Sequence, residues 1–131
     1  MKVYTSYFEK AEAIPKDWNI FIVGSDAPNG FTFPHMDARA FAPSWGLMND
    51  YLSEAIEREE FAIQYVNDLI KKFESSDRIK EFILNLAVKD KPIVLVTKVP
   101  SKNNCHRNIL ARYVFGSDYM GELECDKATL R

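Results

Sequence analysis

The stretch that most constrains the fold of this chain is an uninterrupted apolar run at residues 92–97, followed by a polar loop and a helical pattern that reaches residue 113. An apolar run of this length, without polar alternation, is typical of a strand that is buried on both faces of a parallel sheet. Residues 100–104 contain the proline, serine and asparagines that interrupt regular structure. The stretch therefore predicts a buried strand, a short loop and then a helix.

The first turn of that helix carries three chemically active side chains, Cys105, His106 and Arg107. Asn103 or Asn104 is a suitable N-cap, because the side-chain oxygen of asparagine accepts a hydrogen bond from an amide of the first turn. Helix N-termini attract anions, and the same field lowers the pKa of a thiol. An arginine there adds a planar donor fork for carboxylate or phosphate. A structural alternative stays open, because cysteine is often only a small buried side chain.

Several short motifs, in the right order, resemble the family called domain of unknown function 488. The most specific is Cys105-His106-Arg107 at the start of a helix after an apolar strand. The others are Tyr-Thr-Ser-Tyr-Phe at residues 4–8, Ala-Pro-Ser at 42–44, and an aromatic helix with Phe61, Tyr65, Leu69 and Ile70. The resemblance covers about residues 3–115 and implies the family's fold more than any activity.

The chain departs from the family pattern at the end of the apolar strand. The family's strand often ends in a cysteine with a glutamate two residues later, whereas Thr97 and Val99 stand at those places here. A mechanism that requires that acid or that second thiol is therefore not expected of this chain.

The order of patterns along the chain predicts one α/β domain over residues 1–131, with a small, mostly parallel sheet flanked by helices in a Rossmann-like arrangement. A short first strand is expected around Val3 and Tyr4, with residues 5–7 near its carboxyl end. Further strands are expected at residues 19–23 and 92–97, with a short last strand within 120–125. Three helices separate the second and third strands; Ser44 suits the first N-cap, and Trp45 and Tyr51 share the face expected to be buried. Residues 9–16 are expected to form at most one helical turn, and residues 31–43 a long irregular loop.

Ligands of open α/β sheets gather outside the carboxyl ends of the strands. The expected ligand-binding residues lie at such ends or in the long loop after the second strand, and two more follow Cys105 and His106 in the helix. They are Thr5, Ser6, Tyr7, Ser25, His35, Arg39, Lys98, Arg107 and Asn108. His35 could act as a base, and Asp37 could pair with either Arg39 or Arg107.

Composition excludes some functions and predicts a location. A net charge of −2 gives no basic footprint for nucleic acid. The glycines of residues 24–30 match neither a dinucleotide fingerprint nor a P-loop. Two cysteines, 105 and 125, make neither a disulfide framework nor a zinc site, so no cofactor or metal is expected. No leader or membrane-spanning run is visible, which predicts a cytoplasmic protein of unspecified oligomeric state.

Three hypotheses for the function remain open at this point. In the first, a small enzyme acts on an anionic, nucleotide-like ligand, with Cys105 as nucleophile, His106 as acid, base or orienting group, and Arg107 as anion clamp. Neighbouring helical residues diverge by about 100°, so all three side chains cannot point equally into one pocket. Cys105 with Asn108, or Arg107 with a loop residue, are the better co-facing sets. In the second, the chain is a non-catalytic module that binds a small molecule or a protein. In the third, Arg107 only stabilises the fold through a buried ion pair with Asp26 or Asp37.

Overall fold

The structure, a computed structural model, describes residues 1–24, 35–98 and 106–123. Its strands are β1 (Val3–Tyr7), β2 (Asn19–Ile22), β3 (Met36–Asp37), β4 (Ile93–Thr97) and β5 (Tyr119–Glu122). Its α-helices are α1 (Trp45–Leu52), α2 (Arg58–Phe73), α3 (Ser76–Leu86) and α4 (His106–Phe115). Short 3₁₀ helices cover Phe8–Ala13, Arg39–Phe41 and Gly116–Asp118.

The five strands form one sheet in the order β3-β2-β4-β1-β5, and every paired neighbour is parallel. The central strand β4 pairs with both β1 and β2, which is why its sequence is a continuous apolar run. The small Rossmann-like α/β fold expected from the sequence is therefore confirmed.

The two faces of the sheet carry different layers. Along β4, Ile93 and Leu95 belong to the core cluster packed beneath the α-helices, whereas Val94 and Val96 belong to a second cluster with Phe8 and Ala11 of the first 3₁₀ helix. This alternation follows from the two-residue period of a strand. The side chains that face the helices also include Thr5, Tyr7 and Thr97, because each lies two or four residues after Val3 or Ile93 in its strand.

Three local expectations change. The first connection is a six-residue 3₁₀ helix rather than at most one turn, and the expected irregular loop contains the two-residue strand β3. Ser44 does cap α1, where its Oγ accepts a hydrogen bond from the amide of Leu47. The face of α1 that was expected to be buried was wrong, because Trp45 is 82% exposed, whereas Leu47 and Tyr51 are buried. The helix is short and packs on α2 through its third and seventh residues.

Since all paired strands run the same way, their carboxyl ends meet along one border of the sheet, which we call the carboxyl edge. The ends of β1, β4 and β5 lie side by side there, and α4 begins beside them. Within the described ranges, no helix combines the length and the apolar character needed to cross a lipid bilayer.

Candidate functional site

The first turn of α4 places three consecutive polar side chains inside the protein. His106, Arg107 and Asn108 are all at least 96% buried. Polar side chains enter the interior only when partners offset their lost hydration, so their contacts define what the carboxyl edge can do. Cys105, the residue before them, and Ser25 lie outside the described residues, and so do Val99 and Asp26.

Arg107 lies in a shell of side chains from three strands. Its Nε donates to Oε1 of Glu122 on β5 at 2.7 Å, and its Nη1 donates to Oγ1 of Thr97 on β4 at 2.7 Å. The guanidinium carbon also lies 5.9 Å from the ring centre of Tyr7, the last residue of β1. The guanidinium is thereby fixed, and its charge is paired with a carboxylate of the same chain.

That pairing changes the interpretation of Arg107. Among the described carboxylates, its ion-pair partner is Glu122 and not Asp37, which instead forms a two-pronged pair with Arg39. Because Arg107 donates from Nε to Glu122 and from Nη1 to Thr97, it positions a carboxylate in this structure.

Asn108 links Glu122, the ion-pair partner of Arg107, to Thr5 of β1. Its Nδ2 lies 2.6 Å from the Tyr119 hydroxyl, 3.1 Å from Thr5 Oγ1 and 3.1 Å from Glu122 Oε1. The Thr5 and Tyr119 hydroxyls are themselves 2.6 Å apart. By contrast, Oδ1 of Asn108 is buried and has no hydrogen-bond partner among the described residues. We call Thr5, Thr97, Arg107, Asn108, Tyr119 and Glu122 the polar layer.

Glu122 is the member of the polar layer that reaches solvent. Its side chain is 39% exposed, against 3% for Arg107. One carboxylate oxygen, Oε1, accepts from both Arg107 and Asn108, whereas no described residue donates to Oε2. Among the described residues, the carboxylate is therefore held through one oxygen only.

His106 points to a different neighbour. Its Nε2 lies 2.9 Å from the carbonyl oxygen of Val23; a carbonyl can only accept, so Nε2 carries the proton. The ring also packs edge-to-face on Tyr65, with 5.8 Å between ring centres. His106 therefore joins α4 to the end of β2 and to α2, on the other side of Arg107 from Glu122.

The remaining predicted site residues divide into three groups. Thr5 belongs to the polar layer and Tyr7 contacts it, whereas the two-residue period places Ser6 on the opposite face of the sheet, fully buried. Lys98 is exposed just beyond β4. His35 and Arg39 line a separate pocket of about 230 Å³ with Ile22 and Asp37. The end of β2 links that pocket to α4, because Val23 follows Ile22 and accepts from His106.

The Asp37–Arg39 pair beside that pocket is mostly exposed. The Arg39 side chain, and then its backbone amide, donate to Asp37 and lower the pKa of that carboxyl from 3.8 to about 2. Asp37 is thus a fixed negative charge at neutral pH. Within the described parts of the chain, no group of three or more His, Cys, Asp or Glu side chains is placed to hold a metal ion.

A larger hollow, of about 600 Å³, lies at the opposite border of the sheet, between the end of α3 and the start of β4. Aliphatic side chains and exposed lysines form its walls, among them Val88, Lys89 and Ile93. No buried polar side chain lines it. We therefore place the candidate site at the carboxyl edge.

Sequence reasoning missed Tyr119 and Glu122. A weak signal was present, because a short last strand was expected there and Glu122 is near its end. The pattern could not show that this strand lies next to β1, which brings Glu122 opposite Thr5.

Comparison with known families agrees with the motifs. Residues 13–116 match the DUF488-N3a family, described as "Active DUF488-N3 subclade", and the chain belongs to that family. The resemblance expected from the Cys105-His106-Arg107 motif is thereby confirmed. No curated protein and no solved structure matches the chain. The matched range ends before β5, so Tyr119 and Glu122 lie outside it.

Proposed function

We propose that the carboxyl edge beside α4 binds a small anionic, nucleotide-like ligand, and that the protein is a small enzyme acting on it. The observation that carries this proposal is the polar layer. The guanidinium of Arg107 and the amide of Asn108 are buried where an apolar contact between α4 and the sheet would serve the fold alone. Parallel α/β sheets bind their ligands at this edge.

The anion is held at the amino end of α4 and by the positive charge beside it. The first amides of α4 have no partner within the helix, and they carry the positive end of its dipole. Exposed Lys98 adds a positive charge just beyond β4. Arg107 contributes indirectly, because it neutralises Glu122, which would otherwise repel an anion.

The catalytic part of the proposal rests on Cys105, which directly precedes His106 in sequence. A thiol at the start of a helix is favoured as a thiolate nucleophile. The word "Active" in the description of the matched subclade supports turnover rather than binding alone.

A second candidate function is ligand binding without chemistry. It is favoured by the hydrogen bond of His106, since the Nε2 proton is donated to Val23 and that nitrogen cannot act as a base without breaking the bond. Under this alternative the same ligands bind with no product formed.

The deciding experiment measures alkylation of Cys105 and Cys125 by iodoacetamide across pH, read by mass spectrometry, with Cys125 as the internal control. We expect the midpoint for Cys105 to lie clearly below the free-thiol value of about 8.5. Phosphorylated sugars and nucleotides are then screened for turnover by the wild type and by Cys105→Ser. A Cys105 midpoint at the free value, together with binding but no product, favours the second candidate. Absence of binding by every anion tested contradicts the site itself.

A further inference from the structure

Two hydrogen-bond acceptors of the polar layer have no donor among the described residues. One is the Oε2 oxygen of Glu122, at the partly exposed end of that side chain. The other is the Oδ1 oxygen of Asn108, which is buried. The side chains themselves are in contact through Asn108 Nδ2 and Glu122 Oε1, 3.1 Å apart. The layer therefore has acceptor capacity that the described residues do not use.

Glu122 is held in the orientation that makes its second oxygen available. Arg107 Nε and Asn108 Nδ2 both donate to Oε1, at 2.7 and 3.1 Å. Both donors are buried, and Arg107 is fixed in turn by Thr97. A carboxylate fixed by two donors at one oxygen loses little further freedom when its other oxygen binds a ligand, which favours binding.

Asn108 cannot satisfy its own oxygen by turning its amide over. Its Nδ2 carries two protons and lies among three oxygens. Exchanging nitrogen and oxygen would place Oδ1 against the carboxylate of Glu122, and two acceptors repel. The observed orientation serves Glu122, and it leaves a buried acceptor without a donor.

The surroundings select the kind of donor that fits these acceptors. A cation is disfavoured, because the amino end of α4, the Arg107 guanidinium and exposed Lys98 are all positive. A neutral hydroxyl group donates one hydrogen bond and adds no charge.

We infer that Glu122, supported by Asn108, accepts hydrogen bonds from hydroxyl groups of the ligand, which is therefore a phosphorylated sugar. This inference rests on the proposed anion site, which receives the phosphate. Glu122 is then the residue that distinguishes a sugar phosphate from a phosphate ester without hydroxyls. Arg107 and Asn108 are positioning residues that act through it.

The test compares two phosphate monoesters, ribose 5-phosphate and butyl phosphate, which carries no hydroxyl on its alkyl chain. Dissociation constants are measured by calorimetry for the wild type, Glu122→Gln and the control Glu81→Gln, which removes a carboxylate from the exposed face of α3. In Glu122→Gln, Arg107 Nε and Asn108 Nδ2 hold the amide oxygen of the glutamine. The amide NH₂ group, a donor, then takes the place of the acceptor Oε2. Both variants change the net charge equally.

We expect Glu122→Gln to weaken ribose 5-phosphate binding about tenfold, as for the loss of one hydrogen bond to a charged acceptor. Butyl phosphate should bind the same variant equally well or more tightly, since a negative charge is gone. If Glu122 had only a structural role, Glu122→Gln would weaken the binding of both esters. If only its charge mattered, the substitution would strengthen the binding of both. Either result overturns the inference and leaves the anion site standing. If neither ester binds the wild type, the proposed function fails and the inference with it.

A second measurement uses the wild type alone, in case Glu122→Gln does not fold. Carboxylates are modified with a carbodiimide and glycine ethyl ester, and the sites are read by mass spectrometry. We expect ribose 5-phosphate, but not butyl phosphate, to protect Glu122, with Glu81 unprotected by either. Equal protection of Glu122 by the two esters, or none by ribose 5-phosphate, contradicts the inference.

Discussion

Two buried asparagines, at opposite borders of the sheet, are used in different ways. Asn19 is the first residue of β2; its Nδ2 donates to the carbonyls of Val88 and Lys91, at 2.9 and 3.1 Å, and its Oδ1 accepts from the Val88 amide at 2.7 Å. Asn108, in α4, has a crowded Nδ2 and an Oδ1 without a described partner. Both side chains are at least 96% buried.

The difference distinguishes polarity that builds the fold from polarity that, under the proposed function, serves a site. Asn19 satisfies the backbone of the turn between α3 and β4, so both ends of its amide stabilise the folded state. Asn108 supports Glu122 and leaves an acceptor unsatisfied, which costs stability. Under the proposed function, buried polar groups that are only partly satisfied mark the site better than buried polarity as such.

The largest expected effect on stability belongs to Asn19. Asn19→Leu removes one acceptor and two donor contacts but leaves the backbone groups in place, so we expect the free energy of unfolding to fall by about 2 kcal/mol. Urea unfolding followed by circular dichroism measures it. The control Asn67→Leu, on the exposed side of α2, should change the value by less than about 0.5 kcal/mol. If the two substitutions cost the same, the structural role of Asn19 is refuted.

Asn108→Leu should have a small effect on stability and a larger effect on ligand binding. Thr5 and Tyr119 remain hydrogen-bonded to each other and Glu122 keeps Arg107, so we expect a loss of less than about 1 kcal/mol in the same urea experiment. Binding of ribose 5-phosphate should weaken by about tenfold, because Glu122 loses a donor that fixes it. A stability loss as large as that of Asn19→Leu, with binding unchanged, would remove the contrast between the two asparagines.

The smallest expected effect concerns the exposed Asp37–Arg39 pair. The pKa of the Asp37 carboxyl in the folded state, about 2, lies below its ordinary value of 3.8. The pair therefore contributes fully to the free energy of unfolding above about pH 4, and this contribution is lost as the pH falls towards 2. Solvent screens a pair this exposed, so the contribution should not exceed a few tenths of a kcal/mol. Urea unfolding of wild type and Asp37→Asn at pH 7 and at pH 2.5 measures it, and we expect the small difference at pH 7 to shrink at pH 2.5. A constant difference at both values would show that the carboxylate charge contributes nothing.

Much of the fold was present in local patterns. The apolar run of β4, the Ser44 cap and the polar start of α4 depend on neighbours in sequence, and each formed as expected. The placement of Ser6 was also within reach, because the two-residue period of a strand puts it on the face opposite to Thr5. Trp45 was misplaced since a short helix offers several apolar faces and its packing partner, α2, decides which one is buried.

Hydrophobic periodicity and capping are local, so the residues alone predict a parallel α/β sheet and a helix at its carboxyl edge whose first turn carries Cys105, His106 and Arg107. The pairing of Arg107 with Glu122, and the contact of Asn108 with Thr5, 103 residues away in sequence, arise from long-range packing. Those contacts depend on β5 lying beside β1. The order of strands in a sheet follows from how the helices cross over and pack together, and no single stretch of residues encodes it.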